Sequence, residues 1–504
     1  MIEVELAESR LPVVATVAVL GSGDPLADLS GAGAGLAPDW VTALRPTGKT
    51  GEVLAIADSD YAWTLGVGAG RPGDWRAAGA ALVRTVNTRL AEDDEAGRRV
   101  PRGLQVRLPE TMEPEAAAAF VLGVLLGGHR YTLRTETPPP SLERLRLVTA
   151  TEEASAELAA AVTEATRHAE ATALARDFAS VPANIKNPPW LAGQAEQELA
   201  GNPGLRVTVR DEQWLEAKGF GGVLAVGGGS ATPPRLVEMA WRPRGVTGRH
   251  LVLVGKGITF DTGGISLKPA EGMHWMRTDM AGGGAVIAAL RAIAALRIPL
   301  RVTGLVPLAE NHLSGSSYRP GDIVRHYDGT TTAVANTDAE GRMVLADALG
   351  YAVRHHRADL IVDVATLTGA MKATLGVRTG GLFASEDELA ERLLAAGEYV
   401  GERFWRLPFV EEEEIDLRAG LADLNQAPGG PGGIAAAMFL REFTGGVPWA
   451  HLDIAGAARA EKGYDEVNIG ATGFAARTLV KFAGELAGQT GSRRTTGISR
   501  SVRR

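Results

Sequence analysis

From Pro182 onward, short apolar runs alternate with helical stretches, and this alternation limits the possible folds more than any other feature of the chain. The runs lie at Leu205–Val209, Gly222–Val226, Leu251–Val254, Val302–Val306, Leu360–Val364 and Ala450–Ile454, with helical patterns such as Ala285–Leu296 between them. A strand that is repeatedly followed by a helix builds a mostly parallel sheet with helices on both faces. The expected fold class is therefore α/β. In such sheets ligands bind beyond the carboxyl ends of the strands, and Lys256 follows directly after one of them.

Residues 1–150 have a different texture. Short β-type runs at Val13–Leu20 and Leu104–Leu108 flank an alanine-rich helical stretch, Trp75–Leu90, and a glycine-rich loop, Gly21–Gly35, and the triple proline Pro138–Pro140 punctuate them. This predicts a small N-terminal α/β domain. The helical pattern Glu152–Ala179, in a connecting segment 151–181, has charges spread around it and reads as a solvated connector. Residues 182–487 are expected to form the second, larger domain. The tail 488–504 holds five arginines and no acids among Gly, Ser and Thr, so disorder is expected there.

Composition removes several classes of function. With no cysteine in 504 residues, disulfides, thiolate nucleophiles and cysteine zinc sites are excluded. A net charge of -8 argues against nucleic acid as the main partner, because phosphate binding requires a basic face. The most apolar run, Ala116–Gly128, is about 13 residues where a bilayer span needs roughly 20. The acidic start Met1–Glu5 lacks the features of a secretory signal. A soluble, cytoplasmic protein without membrane contact is expected.

Chemistry concentrates in two blocks. Asn336-Thr337-Asp338-Ala339-Glu340-Gly341-Arg342 places two carboxylates and a guanidinium on alternate residues, which in an extended chain point the same way. Burying such a set is costly unless something cationic neutralises the acids, and a divalent metal does so. Upstream, Val254–Pro269 and Met276–Gly283 add Lys256, Asp261 and Asp279 as further ligand candidates, with Lys268 as a second cation.

These blocks, together with SVPAN at Ser180–Asn184, SYRPGDIV at Ser317–Val324, ATLTGA at Ala365–Ala370, WRLP at Trp405–Pro408, HLDIAG at His451–Gly456 and GATGF at Gly470–Phe474, resemble the leucyl aminopeptidases, the cytosol aminopeptidase family of two-metal exopeptidases. The resemblance runs from about Ala175 to Ala483 and is loose in the N-terminal third. It implies two divalent ions per subunit, Mn2+ or Zn2+, held by Lys256, Asp261, Asp279, Asp338 and Glu340, with Asp261 and Glu340 bridging. Lys268 would stay protonated and stabilise the tetrahedral gem-diolate. Arg342 would hold a bicarbonate ion that carries a proton from the attacking water to the leaving amine. The first-residue pocket would be walled by Met276, Thr366, Gly369 and Ala457 or a neighbour. The family's hexamer and its short peptide substrates are expected with it, and a DNA-binding regulatory role, known in some bacterial members, is the alternative reading.

Other features have plainer readings. His274, His312 and His451 make no metal-type pair and are expected to be structural or to line the cleft. Gly221–Ser230 lacks the lysine of a phosphate loop and reads as a strand-to-turn segment. The acidic run Glu411–Glu414 reads as a solvated helix start and Ala427–Gly433 as a flexible loop near the site. Thr262, Gly283, Gly284 and Ser180 depart from the family's usual residues, and Thr262 and the two glycines are expected to loosen the site subtly, while Ser180 lies in the connector region.

Overall fold

The computed structural model describes residues 1–11, 14–21, 45–56, 62–98, 101–410 and 415–495, with side chains to residue 488. Nearly all of the glycine-rich loop, the acidic run Glu411–Glu414 and the last nine residues of the tail lie outside the described residues. The chain divides into two units, one of Met1–Ala173 with Glu461–Ile469, the other of Leu174–Ala460 with the remainder.

The first unit is built on a six-stranded sheet of β1 (Glu3–Ala7), β2 (Ala15–Leu20), β3 (Val53–Ala55), β4 (Trp63–Gly66), β5 (Gly103–Arg107) and β6 (Arg144–Val148), in the order β1-β6-β5-β2-β4-β3. All neighbours are parallel except β3 and β4. Helices Pro72–Glu95 and Pro114–Gly128 both open on proline, whose missing N–H costs nothing in a first turn. They approach so closely that a Cβ on Gly123 would come 2.1 Å from the Arg76 carbonyl oxygen. The segment Glu461–Ile469 belongs to this unit, where Arg76 pairs with Glu466 at 3.2 Å and Arg84 donates to Asn468. The sequence alone had left that excursion in the catalytic domain.

The second unit carries β7 (Leu205–Arg210), β8 (Arg235–Trp241), β9 (His250–Gly255), β10 (Gly257–Asp261), β11 (Arg301–Asn311), β12 (Ile323–Arg325), β13 (Thr331–Ala333), β14 (Leu360–Ala365), β15 (Thr379–Ala384), β16 (Arg403–Arg406), β17 (Leu424–Asn425) and β18 (Trp449–Asp453). Nine of these form one sheet, β16-β15-β18-β14-β9-β11-β8-β7 with β10 on β11, and the central pairs β18-β14, β14-β9 and β9-β11 are parallel. Strands β9 and β14 are buried along their whole length, as the expected helix-covered parallel sheet requires. Stretch Met273–Ala295 is long and apolar enough to cross a membrane, yet it is largely buried inside this unit.

Three expectations need correction. Gly222–Val226 is not a strand but part of the helix Gly221–Gly227. A five-residue apolar run fits either state, and here Asp347 accepts the first-turn N–H of Val223 at 2.9 Å and so favours the helix. Helix Glu152–Ser180 stands where the connector was expected but is not solvated throughout, since His168, Ala169, Thr172, Ala173, Ala175 and Arg176 are buried. Helix Ala476–Thr495 takes in the first part of the tail expected to be disordered from residue 488.

Candidate metal centre

The carboxyl ends of the central strands deliver the site. Lys256 follows β9, Asp261 ends β10, Asn311 ends β11 and Thr366 follows β14. Asp279 caps the short 3-10 helix Met273–Thr278, and Glu340 opens the helix Glu340–Arg354. Glu340 therefore sits in a first turn, where the helix dipole favours a negative charge. The alternate-residue argument for 336–342 is corrected accordingly, because the segment is a turn and a helix start rather than extended chain. Asn336 Oδ1 accepts the Asp338 N–H at 2.9 Å and makes that turn.

The fold nevertheless brings the expected ligand residues together. Carboxylate oxygens of Asp261, Asp338 and Glu340 lie within 4.8 Å of one another. Lys256 Nζ is 2.8 Å from Asp279 Oδ2 and 2.8 Å from Glu340 Oε1. Lys268 Nζ sits between Asp261 Oδ2, at 2.7 Å, and Asp338 Oδ1. Four carboxylates thus face two ammonium groups, and two negative charges stay uncompensated within the cluster. Glu340 Oε2 is buried with no hydrogen-bond partner, while Asp279 Oδ2 and Asp338 Oδ1 meet only lysine ammonium groups. A buried orphan carboxylate oxygen beside surplus negative charge fits divalent cations.

The ionisation equilibria express the same excess. Burial, reinforced by Glu340 and Asp279, raises the Asp261 carboxyl well above the usual range. Burial raises Asp279 to about 6 against the pull of Lys256. Burial would also raise Glu340, but Lys256 and Lys268 outweigh it and the net shift is downward. For Lys256, burial is outweighed by Asp279, Glu340 and Asp261, so among the protein's own charges its pKa goes up. The neutral amine expected of a lysine ligand requires the opposing charge of bound cations.

Arg342 is the third cation. Its Nη1 donates to the Gln426 carbonyl at 2.7 Å, its Nε is buried without a partner, and no carboxylate pairs with it among the described residues. Burial lowers its pKa to about 10 against the raising effect of Glu340 and Asp453. A guanidinium with an open edge suits a small anion.

The expected pocket residues divide. A Cβ on Gly369 would meet nothing within 4 Å, so that position opens onto free space. Thr366 Oγ1 donates to Asp279 Oδ1 at 2.7 Å, and its carbonyl accepts from Lys256 Nζ at 3.0 Å. Its hydroxyl is thus committed to a carboxylate of the cluster. Met276 is partly buried on the 3-10 helix, and Ala457 is fully buried. His451 is also buried, 2.6 Å from Asp363, and no histidine joins the carboxylates among the described residues.

Several residues at the centre escaped the sequence reading. Asn311 donates to Asp261 Oδ1 at 2.8 Å and to the Thr337 carbonyl at 3.0 Å. Gln426 accepts from the backbone of Ala335 and Asn336 and donates to the Ala339 carbonyl, which fixes the loop that carries Asp338. Gly341 leaves room for Lys256, because a Cβ there would stand 2.6 Å from Lys256 Cε. Gly283 does not loosen the site: its N–H donates to the Lys256 carbonyl at 2.7 Å, and a Cβ would strike Val306 at 2.6 Å. Of Asn311 and Gln426, only Asn311 left a trace in the sequence, as a polar residue at the carboxyl end of an apolar strand.

Residues 173–480 match the model of the cytosol aminopeptidase family, catalytic domain. The chain belongs to the cytosol aminopeptidase family. A probable cytosol aminopeptidase of Syntrophotalea carbinolica is 45% identical over 372 residues, 73% of this chain and 74% of that protein. Another, from Solibacter usitatus, is 42% identical over 83% of this chain and 85% of its own length. Among solved structures, the bottromycin maturation enzyme BotP in complex with Mn superposes with a TM-score of 0.81 at 39% identity, covering 95% of this chain and all of that one. Membership makes this protein a metal-dependent aminopeptidase, a hydrolase that acts on peptides and binds divalent metal.

Proposed function

We propose that the protein releases N-terminal leucine and other apolar residues from short peptides, with two divalent ions and a bicarbonate ion at the centre described above. The carrying observation is the cluster of Asp261, Asp279, Asp338 and Glu340 around two lysines, with the buried Glu340 Oε2 unpartnered and two negative charges uncompensated. In this reading Lys256, Asp261, Asp279, Asp338 and Glu340 would hold the ions, with Glu340 offering one free and one ion-paired oxygen. Asp261 would act through Oδ2, shared with Lys268, since Oδ1 already accepts from Asn311 and from the Gly263 N–H at 2.9 Å. An oxygen-rich set without histidine suits manganese by hardness, with zinc as the other choice. The manganese complex of the related BotP supports the same preference.

Two such ions would supply an activated water and a clamp on the scissile carbonyl, and a free α-amine as one more ligand would select peptide N-termini. Lys268 remains an ammonium, because Asp261, Glu340 and Asp279 raise its pKa despite burial, and it stabilises the developing oxyanion. Arg342 holds the bicarbonate on its open edge. Met276 and Gly369 border the first-residue pocket, and Thr366 steadies it through Asp279. A cytoplasmic hexamer completes the reading. The likeness to BotP, a bottromycin maturation enzyme, supports a second reading, a role in the maturation of one specific product.

Hydrolysis of leucine p-nitroanilide and its N-acetyl form by metal-stripped protein, resupplied with Mn2+ or Zn2+, tests this. Metal-restored cleavage of the free-amine substrate alone, lost in Glu340→Gln, is expected. Equal cleavage of both substrates, or no turnover with two ions bound, overturns the reading.

A further inference from the structure

Lys186 is a fully buried lysine outside the metal cluster and outside every motif discussed above. It forms no ion pair with a carboxylate among the described residues. Its Nζ donates instead to two main-chain carbonyls, Phe178 at 2.9 Å and Arg277 at 2.5 Å. Both acceptors are helix ends. Phe178 lies in the last turn of Glu152–Ser180, and Arg277 in the last turn of the 3-10 helix Met273–Thr278, where carbonyls lack partners within the helix. That 3-10 helix carries Met276 and runs directly into Asp279.

A buried lysine without a counter-ion is a poor way to stabilise a core, since a methionine would fill the space without desolvating an amine. Burial and the charge of Arg277 push its pKa well down, with Asp279 pulling the other way. A neutral amine still has two N–H groups, one for each carbonyl. The contact is therefore made in either protonation state, and what it joins is specific: the rigid end of a long helix and the element that presents Asp279.

We propose that Lys186 is a positioning residue for the metal centre, tying the 3-10 helix Met273–Thr278 to the long helix so that Asp279 meets its metal and Met276 its pocket. The inference rests on the two-metal reading above. Loss of an outer partner of a ligand lowers metal affinity by about 10- to 100-fold. Lys186→Met, which leaves two buried carbonyls without their donor, is expected to fold with a lowered melting temperature, while calorimetric titration of the metal-stripped protein with Mn2+ shows one of two sites weakened by up to that factor. Because the chain has no cysteine, Lys186→Cys can be alkylated alone with 2-bromoethylamine in denaturant and refolded, which restores an amine at nearly the same reach. Aminoethylation is expected to recover the weakened site, which a loss of packing alone does not predict. If Lys186→Met does not fold, the alkylated and unalkylated cysteine variants make the same comparison. Unchanged affinity at both sites, or weakening that the restored amine does not reverse, overturns the proposal. A wild-type protein that binds no metal defeats the two-metal reading instead.

Discussion

Asn311 and Asp261 are joined by a 2.8 Å hydrogen bond from the side-chain amide to Oδ1, and this bond fixes the orientation of a carboxylate proposed as a metal ligand. Asn311 also holds the Thr337 carbonyl, next to Asp338, so one side chain sets two carboxylates of the cluster. Asn311→Leu is expected to weaken Mn2+ binding by roughly 10- to 100-fold. Calorimetric titration checks it, and an affinity within twofold of the wild type would remove Asn311 from the account.

Gly341 makes a separate prediction about space. Alanine in this first turn gains at most about 1 kcal/mol of helix propensity, while the crowding of Lys256 costs about 1–3 kcal/mol. The melting temperature should therefore fall modestly. Peptidase activity should drop sharply, since the Cβ displaces Lys256 from Asp279 and Glu340. A Gly341→Ala enzyme of normal activity would show that the position of Lys256 is not critical.

The fold class and the set of clustered residues were legible before the structure. Strands Leu251–Val254 and Leu360–Val364 declared themselves by length and apolar content, and Lys256 directly after one of them pointed to the sheet's carboxyl edge. The local geometry was not legible. Asp338, Glu340 and Arg342 looked like one face of a strand because a two-residue spacing carries no mark of the helix that begins at Glu340. The Gly222–Val226 run was ambiguous for the same reason. Lys186 and Gln426 act through main-chain carbonyls and N–H groups, which have no sequence signature at all. The excursion Glu461–Ile469 depends on packing against residues almost four hundred positions away.

Stability at acid pH should carry the mark of His250. Its Nδ1 lies 3.2 Å from the His356 carbonyl, which can only accept, so Nδ1 holds the proton of a neutral ring. Burial, then the charge of Arg242, lowers its pKa to about 4. The unfolded chain takes up a proton near the ordinary value of about 6.5, and the folded protein resists until about 4. Folding stability is therefore lost as pH falls through that window. Melting curves of His250→Asn should fall less steeply than those of the wild type between pH 6.5 and 4. Parallel curves would contradict this assignment.

The most direct test of the central claim is calorimetric titration of metal-stripped protein with Mn2+ at pH 7.5, run in buffers of different ionisation enthalpy to count protons. Lys256 is an ammonium among the protein's own charges and must give up its proton to become a ligand. The account predicts two ions per chain with at least one proton released, and fewer protons released by Lys256→Met than by the wild type. Fewer than two ions, or proton release undiminished in Lys256→Met, would contradict it.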